Sequence, residues 1–194
     1  MVLYGASGHA KVVIDILEAM GKPIDYVVDD DVNVSEILGY RVEHDCKVFK
    51  EVIIAVGSCQ QRKKIAESIT SDQYPIAIHP SAIISPRTLI GDGTVVMQGA
   101  IVQSCASIGS HCIVNTGASV GHDVKLADFV HVAPHATITG NVEIGEYAWI
   151  GAGAVIRQGI KIGANSTIGA GAVVVKDVPS GTTVIGNPAR ELIK

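Results

Sequence analysis

Residues 143–174 read EIGEYAWIGAGAVIRQGIKIGANSTIGAGAVV, and the fold turns on the aliphatic residue at every sixth place: Ile144, Ile150, Ile156, Ile162, Ile168 and Val174. Followed backwards without an insertion, the same register takes in Ile84, Ile90, Val96, Val102, Ile108, Val114, Val120, Leu126, Val132 and Ile138. All sixteen positions are therefore aliphatic, which neither an ordinary helix nor a strand pattern produces. Four places on stands a small or β-branched residue, as at Thr94, Ala100, Ala106, Cys112, Ala118 and Ala172. One place on is often glycine, as at Gly91, Gly109, Gly121, Gly145, Gly151, Gly163 and Gly169, read here as a corner. A six-residue unit of one short strand plus a corner is the signature of a parallel β-helix. Three units close one triangular coil, so residues eighteen apart stack, and Ile90, Ile108, Leu126, Ile144 and Ile162 are expected to form one internal ladder. About five coils at roughly 4.8 Å each give a prism about 25 Å tall. Cys112 falls in the small inward slot and is expected to be a buried, inert thiol.

Residues 1–78 follow a different grammar. The apolar run Val2-Leu3-Tyr4 ends in Gly5-Ala6-Ser7-Gly8, and Val12, Val13, Ile16, Leu17 and Met20 then recur at helical spacing up to Gly21. Tyr26-Val27-Val28 runs into Asp29-Asp30, and Val52-Ile53-Ile54-Ala55-Val56 runs into Gly57. A basic helix over 61–69 precedes Pro75-Ile76-Ala77-Ile78. The reading is an α/β, Rossmann-like domain with a mostly parallel sheet over 1–78, followed by the β-helix over 79–194.

Composition narrows the function classes. The 194 residues carry 15 Lys+Arg against 19 Asp+Glu, a net charge of −4, which disfavours a nucleic-acid or basic membrane-surface protein. With 47% hydrophobic and 18% charged residues the chain is expected to fold, and no apolar run reads as a membrane span or a signal peptide. The spacing of Cys46, Cys59, Cys105 and Cys112 fits neither a Cys-x-x-Cys pair nor a disulfide framework, and suggests a reducing, cytoplasmic setting.

Several residues suit chemistry on their own account. His122 follows the Gly121 corner and is followed at once by Asp123, a pairing that can orient an imidazole and raise its basicity. Gly5, Ser7 and Gly8 fall between a strand and a helix N-terminus, where backbone amides gather round a phosphate. They do not complete a Gly-x-Gly-x-x-Gly motif, which disfavours a dinucleotide. Asp29 and Asp30 at the next strand end suit a ribose or a uracil edge, and Gly57 can admit a ligand closely. Ala152 and Ala170, eighteen apart, stack in adjacent coils.

A hexapeptide-repeat half behind Gly5-Ala6-Ser7-Gly8-His9-Ala10-Lys11-Val12-Val13 resembles the sugar O-/N-acetyltransferases of the sialic-acid O-acetyltransferase and bacillosamine-pathway UDP-4-amino-sugar N-acetyltransferase family. Further carriers are Asp29-Asp30, Ile54-Ala55-Val56-Gly57 leading into Arg62-Lys63-Lys64-Ile65, Gly121-His122-Asp123, Val130-His131-Val132 and Ile185-Gly186-Asn187-Pro188-Ala189-Arg190. The resemblance implies a left-handed coil, acetyl-CoA as co-substrate without a metal, a nucleotide-sugar acceptor, and a homotrimer with active sites between subunits. It makes His122 the general base and Asp123 its orienting acid, a shorter residue than the Glu that the family more often carries. It places Gly140 at the developing oxyanion, and His131, Ala152, Ala170, Lys176 and Arg190 at coenzyme A. His9 would face the sugar. The expected reaction is N-acetylation of a UDP-4-amino-4,6-dideoxy sugar by direct attack on the thioester, with O-acetylation of sialic acid or another sugar as the alternative. A zinc hydratase built on His111, His131 and His135 is a more distant reading, because the family with that chemistry spaces its close pair five apart rather than four. A non-catalytic nucleotide-sugar binder is equally distant, since His122, Asp123, His131 and the Asn187-Pro188-Ala189-Arg190 tail are all retained.

Overall fold

The computed structural model describes residues 1–192, so the last two residues of the expected second domain, 193 and 194, lie outside the described chain. The first half contains β1 (Val2–Tyr4), α1 (Gly8–Ala19), β2 (Tyr26–Val28), β3 (Glu36–Ile37), β4 (Tyr40–Glu43), β5 (Val48–Ile54), α2 (Cys59–Ser68) and β6 (Thr70–Gln73). Helix α1 ends as its glycine signalled: Gly21 has φ +65, and the Lys22 amide donates back to the Leu17 carbonyl at 2.9 Å. The polar stretch after β2 hides a hairpin, β3 and β4, whose turn residues Leu38 and Gly39 both have positive φ, 50 and 83. That is the type I′ geometry which matches strand twist.

These strands form one sheet in the order β3-β4-β2-β1-β5-β6. β1 pairs in parallel with β2 on one side and β5 on the other, so the chain order reverses between β1 and β5. A crevice at the carboxyl ends of such a pair is where α/β sheets bind ligands. Both α1 and α2 begin there, immediately after β1 and β5.

The second half is the expected left-handed parallel β-helix. Strands of two residues follow at six-residue intervals, from β7 (Ala77–Ile78) to β23 (Val173–Val174). They stack into three faces of eight, six and five strands, the first ending in β24 (Thr183–Ile185) and the antiparallel β25 (Arg190–Glu191). The ladder Ile90, Ile108, Leu126, Ile144, Ile162 stacks in the expected register and continues through a bridge to Val178. Ala77 and Ile78, read from sequence with the first domain, pair with Val95 and Val96 and so open the β-helix. The α/β sheet itself ends at β6.

The glycines one place after each inward aliphatic do not act through their own conformation. A Cβ on Gly121 would stand 2.8 Å from the Gly140 amide nitrogen in the next coil, so glycine is required there by the close approach of two backbones. The left-handed turn residue comes two places later and need not be glycine: Cys105, Asp123 and Asn141 stack in one such column with φ 62, 60 and 56. The positive φ of Asp123 is therefore ordinary repeat geometry. Cys112 is fully buried, its Sγ 3.1 Å from the Ala127 carbonyl, and burial pushes its thiol up to about 12.

The three faces have different surroundings. The first, which carries Val95, Ile113 and His131 outward, packs under the α/β domain, and Val95, Met97 and Ile113 share one hydrophobic cluster with Leu3, Val13, Ile14 and Leu17. The second face carries Ile83, Ile101, Ser119, Thr137, Val155 and Val173 outward. Of these Ile83 is 65% exposed and Val155 37%. The third face carries a charge ladder in which Glu143 lies 3.7 Å from Lys125 and 3.4 Å from Lys161.

Candidate active site

His122 lies on the corner between the second and third faces, after β14 (Ser119–Val120) and before β15 (Lys125–Leu126). Its Nδ1 is 2.8 Å from Asp123 Oδ2, so the ring donates there and turns Nε2 outward as the free acceptor. Both side chains are about half exposed, at 57% and 52%. The ring lies against the next coil at Gly140, where a Cβ would stand 2.5 Å from Nε2 and 2.6 Å from Cε1. The missing side chain of Gly140 thus makes room for the imidazole. The Gly140 amide is an internal donor to no group among the described residues, nor are those of Ala152 and Ala170. Replacing Gly140 by Ala is expected to displace the His122 ring and lower turnover at least tenfold with little change in melting temperature, checked by steady-state rates beside a thermal melt.

The nucleotide side of the site sits in the crevice between β1 and β5. A cavity of about 410 Å³ is lined there by Tyr4, Gly5, Ser7, Asp29, Asp30, Val56, Gln61, Lys64 and Ile65. Gly5 has φ +115, and a Cβ on it would meet the Ala55 carbonyl at 2.9 Å. Ser7 caps α1 by position while its hydroxyl makes no capping bond, which leaves that hydroxyl to the cavity. Asp29 is largely committed to the protein: it accepts from the Ala6 amide at 2.6 Å and the Asp31 amide at 2.9 Å, fixing the turn after β1. Asp30 accepts from the Tyr4 hydroxyl at 2.6 Å, which holds its carboxyl below the usual range, and Lys47 Nζ donates to that same hydroxyl at 2.8 Å. Tyr4, Gln61 and Lys64 were not singled out from sequence. Gln61 and Lys64 were legible only as two residues three apart on a basic helix, a spacing that puts them on one face.

His131 stands in the strand β16 (His131–Val132), is 4% exposed, and lies beneath the α/β domain. Its Nδ1 donates to the Gly57 carbonyl at 3.0 Å, and its Nε2 accepts from Asn115 Nδ2 at 3.1 Å. Both ring nitrogens are taken, so the ring joins the two halves of the chain. His9 lies 6.3 Å from it, centroid to centroid, with Nε2 buried and unpartnered. Gly8 opens α1 beside Ser7, and no atom lies within 4 Å of where a Gly57 Cβ would stand. Lys176 and Arg190 are exposed at the far end of the β-helix.

Arg62, fully buried, is the centre of the joint between the halves. Its Nε donates to the His111 carbonyl at 2.7 Å and Nη2 to the Phe129 carbonyl at 2.9 Å, both on the β-helix. Nη1 donates to the Val56 and Gly57 carbonyls at 2.9 and 3.0 Å. His111 stacks on Phe129 at 5.0 Å, and Phe129 on Tyr147 at 5.5 Å, in a column of residues eighteen apart. No group of three His, Cys, Asp or Glu suited to a metal occurs among the described residues, so the zinc reading finds no ligand cluster there.

Burial holds His9, His111 and His131 near 4, with the Arg62 charge adding to the effect in each. Folded pKa values below the unfolded 6.5 mean that the unfolded chain binds more protons between those limits. Stability is therefore full above about pH 6.5 and is lost as pH falls towards 4, by up to about 3 kcal/mol per histidine. Denaturant melts at pH 7.5 and 5.0 are expected to show the loss, and each His→Gln variant is expected to flatten it.

Comparison with known proteins agrees with this architecture. Residues 1–69 match the PglD N-terminal domain, and residues 141–176 match the bacterial transferase hexapeptide (six repeats). A UDP-N-acetylbacillosamine N-acetyltransferase of Bacillus subtilis (strain 168) is 39% identical over 109 residues; that match spans 50% of this chain and half the length of the curated relative. Among solved structures, PerB from Caulobacter crescentus in complex with CoA and GDP-perosamine is 35% identical, with a TM-score of 0.92 over 99% of this chain and 96% of that one. The acetyltransferase domain of PglB from Neisseria gonorrhoeae FA1090 is 39% identical, with a TM-score of 0.90 over 98% of both chains. With both halves of the fold, the His122–Asp123 pair and full-length similarity in hand, the chain belongs to the hexapeptide-repeat sugar acetyltransferases that carry a PglD-type N-terminal domain.

Proposed function

We propose that the protein transfers the acetyl group of acetyl-CoA to the amine of a nucleotide-linked 4-amino-4,6-dideoxy sugar. The observation that carries the reading is the His122–Asp123 pair seated over Gly140. His122 Nε2 accepts a proton from the sugar amine as the nitrogen attacks the thioester carbonyl, and Asp123 holds the opposite nitrogen. The C–N bond forms, the tetrahedral oxygen accepts a hydrogen bond from the Gly140 amide, and the C–S bond breaks as the proton taken up by His122 passes to the departing sulfur, which releases coenzyme A as the thiol and restores the base. Asp30, Gly5, Ser7, Gly8 and Lys64 take the nucleotide and its phosphates, in a cavity whose Gly5-Ala6 turn Asp29 holds in shape. Coenzyme A runs along the Ala152 and Ala170 corner towards Lys176 and Arg190. The similarity to an enzyme named for N-acetylation, and to PerB holding CoA and GDP-perosamine, supports N- over O-acetylation.

The active unit is a homotrimer in the cytoplasm. Within one chain the α/β domain covers the first face, while His122 stands on the corner between the other two, so one chain does not bring its own base to its own nucleotide cavity. The bare second face, with Ile83, Ile101, Val155 and Val173 outward, supplies the apolar surface for neighbouring copies. The test is coenzyme A thiol release from acetyl-CoA with UDP- and GDP-linked 4-amino sugars and with free sialic acid, beside light scattering of the same preparation. Release with a nucleotide amino sugar from a trimer is expected. Release with sialic acid alone, or full activity in a monomer, overturns the corresponding part.

A further inference from the structure

One left-handed column of the β-helix departs from its own pattern. On the corner between the first and second faces the residues at positive φ are Gly99, Gly117, His135, Gly153 and Gly171, with φ 65, 63, 56, 64 and 66. His135 alone among them carries a side chain, in a conformation that is free for glycine and costly for other residues. Such a departure points to a task for the side chain. His111, in the matching place on another corner, is explained by packing, since it is buried and stacked on Phe129 at 5.0 Å. His135 has Gly153 above it and Gly117 below, and it is exposed.

Its ring lies down over Gly117, where a Cβ would stand 2.5 Å from Cε1 and from Nδ1, just as the His122 ring lies up against Gly140. Gly117 and His122 share one coil, and His135 and Gly140 share the next. The two imidazoles therefore stand at one level, between the same two coils, on opposite edges of the second face. Down the His135 edge runs the path proposed for coenzyme A. Ala170 and Ala152 offer free main-chain amides one coil apart, about 4.8 Å. The next two rungs offer none: Pro134 has no amide hydrogen, and the Thr116 amide donates to Asn115 Oδ1 at 2.8 Å. The acyl-pantetheine arm has nearly the same repeat, because bond lengths put its pantoyl, β-alanyl and thioester carbonyls about 5 and then about 6 Å apart when extended. With the first two carbonyls on Ala170 and Ala152, the thioester reaches the rung of His135.

We propose that His135 binds the reacting end of the coenzyme, its ring N–H donating a hydrogen bond to the thioester sulfur while His122 of a neighbouring copy acts from the other side. This rests on the proposed acetyl transfer within a trimer and adds a residue to that site. Copies arranged side by side about a three-fold axis keep their coils level, so the His135 edge of one faces the His122 edge of the next. As the C–S bond breaks, its electron pair passes to sulfur and the proton taken up by His122 follows. His135 keeps its own proton and holds the growing negative charge until then.

Glycine suits this column better than histidine, so His135→Gly removes the ring without threatening the fold. Full-length parent and variant are titrated with coenzyme A and with desulfo-coenzyme A, then assayed with nucleotide-linked 4-amino sugars. The parent is expected to bind coenzyme A severalfold more tightly than the desulfo compound, and His135→Gly to bind the two alike. The variant is expected to lose about tenfold in kcat at a melting temperature no lower than the parent's. Co-expressing His135→Gly chains with His122→Ala chains is expected to restore about a quarter of the parental rate, because about one interface in four then pairs an intact His122 with an intact His135. Parental kcat in His135→Gly overturns the role of His135, and so does a preference for coenzyme A unchanged from the parent. Mixed chains no more active than the average of the two variants overturn the pairing across copies. Loss of the preference in the variant, when the parent releases no coenzyme A with any acceptor, keeps the sulfur contact and overturns acetyl transfer.

Discussion

Replacing His122 by Ala is expected to lower kcat about a hundredfold or more while nucleotide binding and melting temperature stay near those of the parent protein. The ring projects from a corner and is 57% exposed, and neighbouring coils are joined beneath it by main-chain bonds that do not involve the side chain, such as Asn141 amide to His122 carbonyl at 3.0 Å. Its loss therefore removes a proton acceptor and little packing. Asp123→Asn is expected to cost less, about tenfold, since an amide oxygen still receives the Nδ1 proton but no longer stabilises the imidazolium that forms. Steady-state rates with saturating acetyl-CoA, beside a nucleotide titration, separate the two effects. Near-normal turnover in His122→Ala would remove it from the mechanism.

Arg62→Ala is expected to be the most damaging single change for stability. The guanidinium is the donor for four carbonyls, two in the α/β domain and two on the β-helix, and all four lie at a buried seam. Leaving several buried acceptors without a donor costs about 3–5 kcal/mol in total. For a chain of this size that lowers Tm by roughly 10 °C. Lys at the same position is not expected to rescue the protein, because a single ammonium cannot reach the four carbonyls that the planar fork serves. Calorimetry of the two variants tests this, and a parental melting temperature in either would show that the seam does not depend on the guanidinium.

Arg62 also shows where reading the sequence reaches its limit. Within the basic helix it is one cation among three in Arg62-Lys63-Lys64, and nothing in that run sets it apart from its two neighbours. In the fold Arg62 is buried in the seam, Lys63 lies over the Tyr147 ring, and Lys64 lines the nucleotide cavity. Their separation follows from the helical turn of about 100° per residue and from what stands opposite each side of α2, which no local pattern contains. His131 teaches the same lesson: its segment carried the resemblance, but its burial and its bond to Gly57 arise between a β-helix strand and the loop after β5, 74 residues apart in sequence.

The β-helix, by contrast, was determined by the sequence alone. Each coil packs only on its neighbours, so one inward aliphatic every six residues specifies strand, corner and register together, and an unbroken count from Ile84 to Val174 leaves no other stacking open. The His122–Asp123 pair was legible for the same reason, because adjacent residues on a regular corner have a known geometry. The domain joint, the commitment of Asp29 to backbone amides and the burial of His131 were decided only in three dimensions. They depend on where a non-repeating α/β unit comes to rest against a repeating one, and that is set by shape and by buried hydrogen bonds between residues distant in sequence.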